Sequence, residues 1–146
     1  MKGRSPPRDE YLIRQYQDHS QWFERIRTLI HEDGPLTAVN RDPKTWEAAR
    51  SAGVHQKSID EYVDTLVKLD ANEELVGVAG LGEVCLIVAG ITYGLFDNGV
   101  IKGYVYAPAD PRPVVGDLDN WPTGIEDVMT AYRPMGDNWY LFELHH

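Results

Sequence analysis

The segment from Leu75 to Tyr106 constrains this chain more than any other. It is a long apolar run interrupted by Asp97-Asn98-Gly99. An Asn-Gly step flanked by Tyr, Ile, Val and Phe is the strongest short-range signal for a β-hairpin, because both central residues of a type I′ turn need positive φ. The first arm is expected over Val84–Phe96 and the second over Val100–Ala107, ended by Pro108, Pro111 and Pro113, which cannot donate to a strand ladder. A membrane span is the competing reading of residues 75–96. Glu83 near the middle, the acidic flanks Asp70, Glu73, Glu74 and Asp97, and an uncharged stretch of only 13 residues after Glu83 argue against it.

Before the hairpin the periodicity is helical. Leu12, Tyr16, His19, Phe23, Ile26 and Ile30 recur at alternating steps of four and three, the spacing of one helical face over residues 9–32. Asp42 followed by Pro43 is an N-cap with proline in the first helical position, predicting a second helix over about 43–52. Ser58 with Glu61 has capping-box spacing and predicts a third, with Ile59, Tyr62, Val63, Leu66 and Leu69 facing inward. Thr123 with Glu126 predicts a short helix ending near Tyr132. The last strand is expected over Trp139–Leu144, with Tyr140, Phe142 and Leu144 on one side and Trp139, Leu141 and Glu143 on the other.

A lone hairpin is marginal in water, so the final strand is expected to join it in a three-stranded antiparallel sheet. The fold class is therefore α+β: about three N-terminal helices packed on one face of a C-terminal three-stranded sheet with an Asn98-Gly99 hairpin. The 146 residues read as a single domain, 1–146, long enough to bury roughly 70% of its unfolded surface. Its helical part covers 8–70 and its β part 84–146. A two-residue turn at Asn98-Gly99 would pair Phe96 with Ile101, Gly94 with Gly103 and Tyr93 with Tyr104. The face carrying Tyr93, Lys102, Tyr104 and Tyr106 would then be exposed, and a helix would approach the Gly94/Gly103 face. A three-residue turn over Asp97-Asn98-Gly99 would instead slip the register by one and exchange the faces of one arm.

Few residues point to chemistry. The five histidines show no H-x-x-x-H or H-x-H spacing, and the single cysteine, Cys85, has no thiol partner, so no metal or disulfide is expected. Asp117, Asp119 and Asn120 open like a calcium loop, but Pro122 stands where its glycine is needed and Val128 where its glutamate is. The glycines of 77–82 have the wrong order for a dinucleotide fingerprint, and no P-loop lysine follows. No cofactor is expected.

With 14 basic against 23 acidic residues the net charge is -9, a field that repels nucleic-acid phosphates and anionic membranes. The functional expectation is thus a small, acidic, cytoplasmic protein that acts by binding, as an inhibitor, an immunity- or antitoxin-like protein, or an adaptor. Its partner would be a basic protein engaged through Tyr93, Lys102, Tyr104, Tyr106, Asp117, Asp119 and Trp121. A homodimer through the same face is the alternative partner. A second reading is an enzyme using Glu83, Glu143 or His19 between the sheet and the first helix. A third arises from residues 45–64, where Ala49, Gly53 and Ile59 occupy small, turn and core positions and Ala48, Ala52, Val54 and Tyr62 the apolar ones. This segment resembles a DNA-binding helix-turn-helix, which implies a regulator whose recognition helix carries Lys57, Asp60, Glu61 and Asp64.

Overall fold

The computed structural model describes residues 8–33, 36–39, 42–69, 77–81, 84–93, 99–109, 111, 114–116, 118 and 130–145. Three helices and six strands follow in the order α1 (Asp9–Asp33), β1 (Leu36–Val39), α2 (Pro43–Ser51), α3 (Gln56–Leu69), β2 (Gly77–Leu81), β3 (Val84–Tyr93), β4 (Gly99–Tyr106), β5 (Thr130–Gly136) and β6 (Trp139–His145). The class is α+β. The three expected strands are neighbours at the centre of a wider antiparallel sheet of order β1-β2-β3-β4-β6-β5.

The helices form where their stripes and caps require. Leu12, Tyr16, Phe23, Ile26, Leu29 and Ile30 bury one side of α1, and His19 stands half-buried where the helix breaks at φ -131°, ψ 26°. Asp42 caps α2 by accepting the Lys44 N–H at 3.0 Å. The α2 helix closes in a Schellman motif: the Val54 N–H reaches the Ala49 carbonyl and the Gly53 N–H that of Arg50, both at 3.0 Å. Gly53 has a φ of +101°, which a side chain would strain. The third helix begins at Gln56, two residues before the expected cap at Ser58, and buries Ile59, Tyr62 and Leu66.

All three helices share one core with one face of the sheet. Val78, Cys85, Ile87, Tyr104, Trp139 and Leu141 are sealed there against the helical stripes. Aromatic rings knit the contact: Phe23 lies 4.6 Å from Tyr104 and 5.5 Å from Trp139 between ring centres. The other face carries a second buried cluster of Val105, Ala107, Tyr140 and Phe142, flanked by Ile101, Tyr132 and Leu144. The alternation expected for the last strand therefore holds.

Three features depart from the sequence expectations. The hairpin register is displaced: Tyr93 pairs with Gly99, Ile91 with Ile101 and Ile87 with Tyr104, with an irregularity between Val88 and Gly90. The expected Gly94–Gly103 and Phe96–Ile101 pairings are likewise replaced, since Gly103 pairs with Val88 and Ile101 with Ile91; the connection over residues 94–98 itself lies outside the described residues. The two faces of β4 are exchanged, because the row of Lys102, Tyr104 and Tyr106 turns toward the helices while Gly103 belongs to the opposite row. Finally, Thr130–Gly136 is a strand, so a helix reaching Tyr132 is excluded; residues 121–129 lie outside the described part. A tight turn with positive φ does occur, at Asp137 (55°) and Asn138 (67°), in the manner of type I′, and it sets the β5–β6 pairing.

Candidate functional site

The first helical residue, Asp9, is the centre of a densely bonded, buried polar group. An acid in the first turn is favoured by the helix dipole, which is why the chain tolerates one here. Burial is less expected: Asp9 is 0% exposed. Its Oδ1 lies 2.5 Å from the Lys102 ammonium of β4. Its Oδ2 accepts from Arg133 Nη1 of β5 at 2.9 Å and from the Leu118 backbone N–H at 2.7 Å.

Two residues farther along β4, the Tyr104 hydroxyl donates to the Leu12 carbonyl at 2.7 Å. Between β4 and β5 runs β6, whose Glu143 pairs across from Lys102 and Ala131 and is itself buried. Glu143 Oε2 lies 2.8 Å from His145 Nε2. Two carboxylates, two strong cations and a histidine are thus gathered on the helix-facing side of three neighbouring strands.

Burial alone would raise the Asp9 carboxyl, since it penalises the charged form. Hydrogen bonds from Lys102, Leu118 and Arg133, with the Lys102 charge, outweigh that penalty and hold it below its ordinary value of 3.8. A general acid or base works best with a pKa near the working pH. Asp9 is driven away from it. Its chemistry is that of a permanent anion joining α1, β4, β5 and the segment around Leu118.

A second polar group occupies the far part of α1. Glu24 accepts from Arg27 Nε at 2.7 Å and from Trp139 Nε1 at 3.2 Å, while the Arg27 guanidinium sits 4.8 Å from the centre of the Tyr106 ring. Cys85 is buried nearby, and that burial pushes its thiol up to about 12, far from the range of a nucleophilic thiolate. Among the described residues, no three of His, Cys, Asp and Glu converge as metal ligands. No helix there is long and apolar enough to cross a membrane.

The residues singled out from sequence fare differently. Lys102 (1% exposed) and Tyr104 (0%) do come together, but beneath α1 instead of at the surface. The expectation of a wet tyrosine face is corrected: a helix covers it because both polar tips find partners in the first turn of α1. Tyr106 is half-buried under Arg27, and the Tyr93 backbone pairs with Gly99. Asp117, Asp119, Trp121 and Glu83 lie outside the described residues. Glu143 stands in the group just described, opposite Lys102 and bonded to His145, while His19 is half-buried at the break in α1.

No sequence pattern singles out Asp9 or Arg133. Asp9 reads as an ordinary first-turn acid, and its partners are 109 and 124 residues away along the chain. In the helical pair, Ala49, Val54, Ile59 and Tyr62 are buried. The outer side of α3 ties Glu61 to Arg25 at 3.1 Å and Lys68 to Asp64 at 3.0 Å. The chain matches no protein-family profile, no curated protein and no solved structure.

Proposed function

We propose that this chain acts by binding a basic protein partner, as an inhibitor, an immunity- or antitoxin-like protein, or an adaptor. The observation that carries the reading is where the charge resides. Residues 1–69 hold eleven acidic and eleven basic side chains, whereas residues 70–146 hold twelve acidic and three basic, which is the whole of the -9. Two of those three cations, Lys102 and Arg133, are bound to Asp9 from the other half. The net negative charge of the chain therefore belongs to residues 70–146, and a cationic partner surface is its electrostatic complement.

The test is co-purification from native lysate at low and raised salt, repeated with Asp117→Lys and Asp119→Lys together. A stoichiometric partner that is released by salt and lost on charge reversal supports the reading. Absence of any stoichiometric partner, together with a monomeric profile, overturns it.

One observation favours a second reading, DNA binding through residues 45–64. Gly53 has the left-handed backbone that a helix-turn-helix corner uses, in a Schellman closure. Against it, exposed Asp60 and Asp64 would face phosphates. A mobility shift at low salt, where nonspecific binding is strongest, decides the matter, and no shift disposes of it.

A further inference from the structure

The strand β5 ends the sheet, and its outer backbone edge is taken up by the chain itself. The Tyr132 carbonyl, directed away from β6, accepts the Val115 N–H at 2.7 Å, and Val114 forms a parallel bridge with Tyr132. Two residues along the same edge stands Pro134, which has no N–H to offer an incoming strand. Beyond it the pairing slips between Pro134 and Gly136, where φ is +108°. The strap is anchored a few residues on by Leu118, whose side chain is 1% exposed and whose N–H is held by Asp9. Arg133 of β5 holds the same carboxylate oxygen, so strap and strand hang from one group.

We infer that the strap formed by Val114, Val115, Gly116 and Leu118 is an edge guard, occupying the backbone edge of β5 that would otherwise pair with β5 of a second copy of this chain. A second copy is the fitting occupant for two reasons. Two identical edges meeting antiparallel about a twofold axis satisfy each other with no further surface. The β5 sequence Thr130–Gly136 also contains no acidic residue, so two chains of charge -9 can meet there without opposing carboxylates. The opposite edge, β1, has four residues and an irregular register, too little for such a ladder.

Removing the strap's donor with Val115→Pro tests this. Sedimentation velocity over a wide concentration range should show self-association tightened by about tenfold or more relative to the parent. Adding Pro134→Thr, which restores an outward N–H, should tighten it further. A folded Val115→Pro protein that sediments like the parent at every concentration overturns the inference. Hydrogen exchange on the unaltered protein gives an independent reading: the Val115 amide should exchange as slowly as the amides of β5, and exchange at the rate of an open coil overturns the guard whatever the variant does.

Discussion

The helical half and the β half use the same charged residues to opposite ends. On the outer side of the helices the ion pairs are at the surface: Arg25–Glu61 and Lys68–Asp64 leave the cation side chains 52% and 48% exposed. Such pairs gain little, because water screens them and two long side chains must be ordered to form them. Where the halves meet, Asp9 and Lys102 are 0% and 1% exposed. A pair removed from water is a poor source of net stability, yet breaking it is severe, since the survivor is left charged in the interior. The lesson is that the surface pairs are interchangeable decoration, while the buried one fixes how α1 docks on the sheet.

The sharpest way to break this comparison is to delete one partner of each kind. Asp9→Ala should lower stability by about 3–5 kcal/mol because it strands Lys102. Glu61→Ala should change it by no more than about 1 kcal/mol. Urea denaturation reads both, and equal losses would show that the junction is no different from the surface.

Acid titration probes the same carboxylate without truncation. The folded pKa of Asp9 is depressed, so its contribution is complete above the ordinary value of 3.8 and lost as the pH falls below it toward the folded value. The fall in unfolding midpoint over that range should be visibly shallower in Asp9→Asn. An identical fall in both proteins would assign acid sensitivity to other groups.

Two smaller changes refine the contrast. Gly53→Ala should destabilise the helical half by about 1–2 kcal/mol through backbone strain alone, as no atom lies within 4 Å of the added Cβ. Tyr104→Phe, which removes only the hydroxyl bonded to Leu12, should cost about 1 kcal/mol in thermal or urea unfolding. If Tyr104→Phe leaves stability unchanged while weakening a partner complex, the burial assigned to this face is wrong.

How much of this could be read from sequence depended on the range of the interaction. The stripe of α1, the Asp42-Pro43 cap and the alternation of β6 are local patterns, and all are present in the fold. The strand β5 was not legible because Thr130–Gly136 contains Pro134 and an arginine and follows a capping-box signal. It is a strand because the Asp137-Asn138 turn returns it onto β6. The face of β4 departs from expectation for a related reason. A lone lysine in a strand reads as solvent-exposed, and nothing near Lys102 announces that its carboxylate arrives from the ninth residue. The hairpin register failed likewise, since the Asn-Gly preference is a local energy and the pairing seen is that of the whole sheet.

Cys85 has a practical consequence. With the residue 1% exposed and its thiol held protonated, the native molecule presents no thiolate for a disulfide reagent to meet. A thiol dye mixed with the intact protein will consequently couple only during excursions that pull α1 off the sheet, so the rate of colour development is a stopwatch for those openings. Because the chain has a single sulfhydryl, that clock comes built in and needs no engineered label.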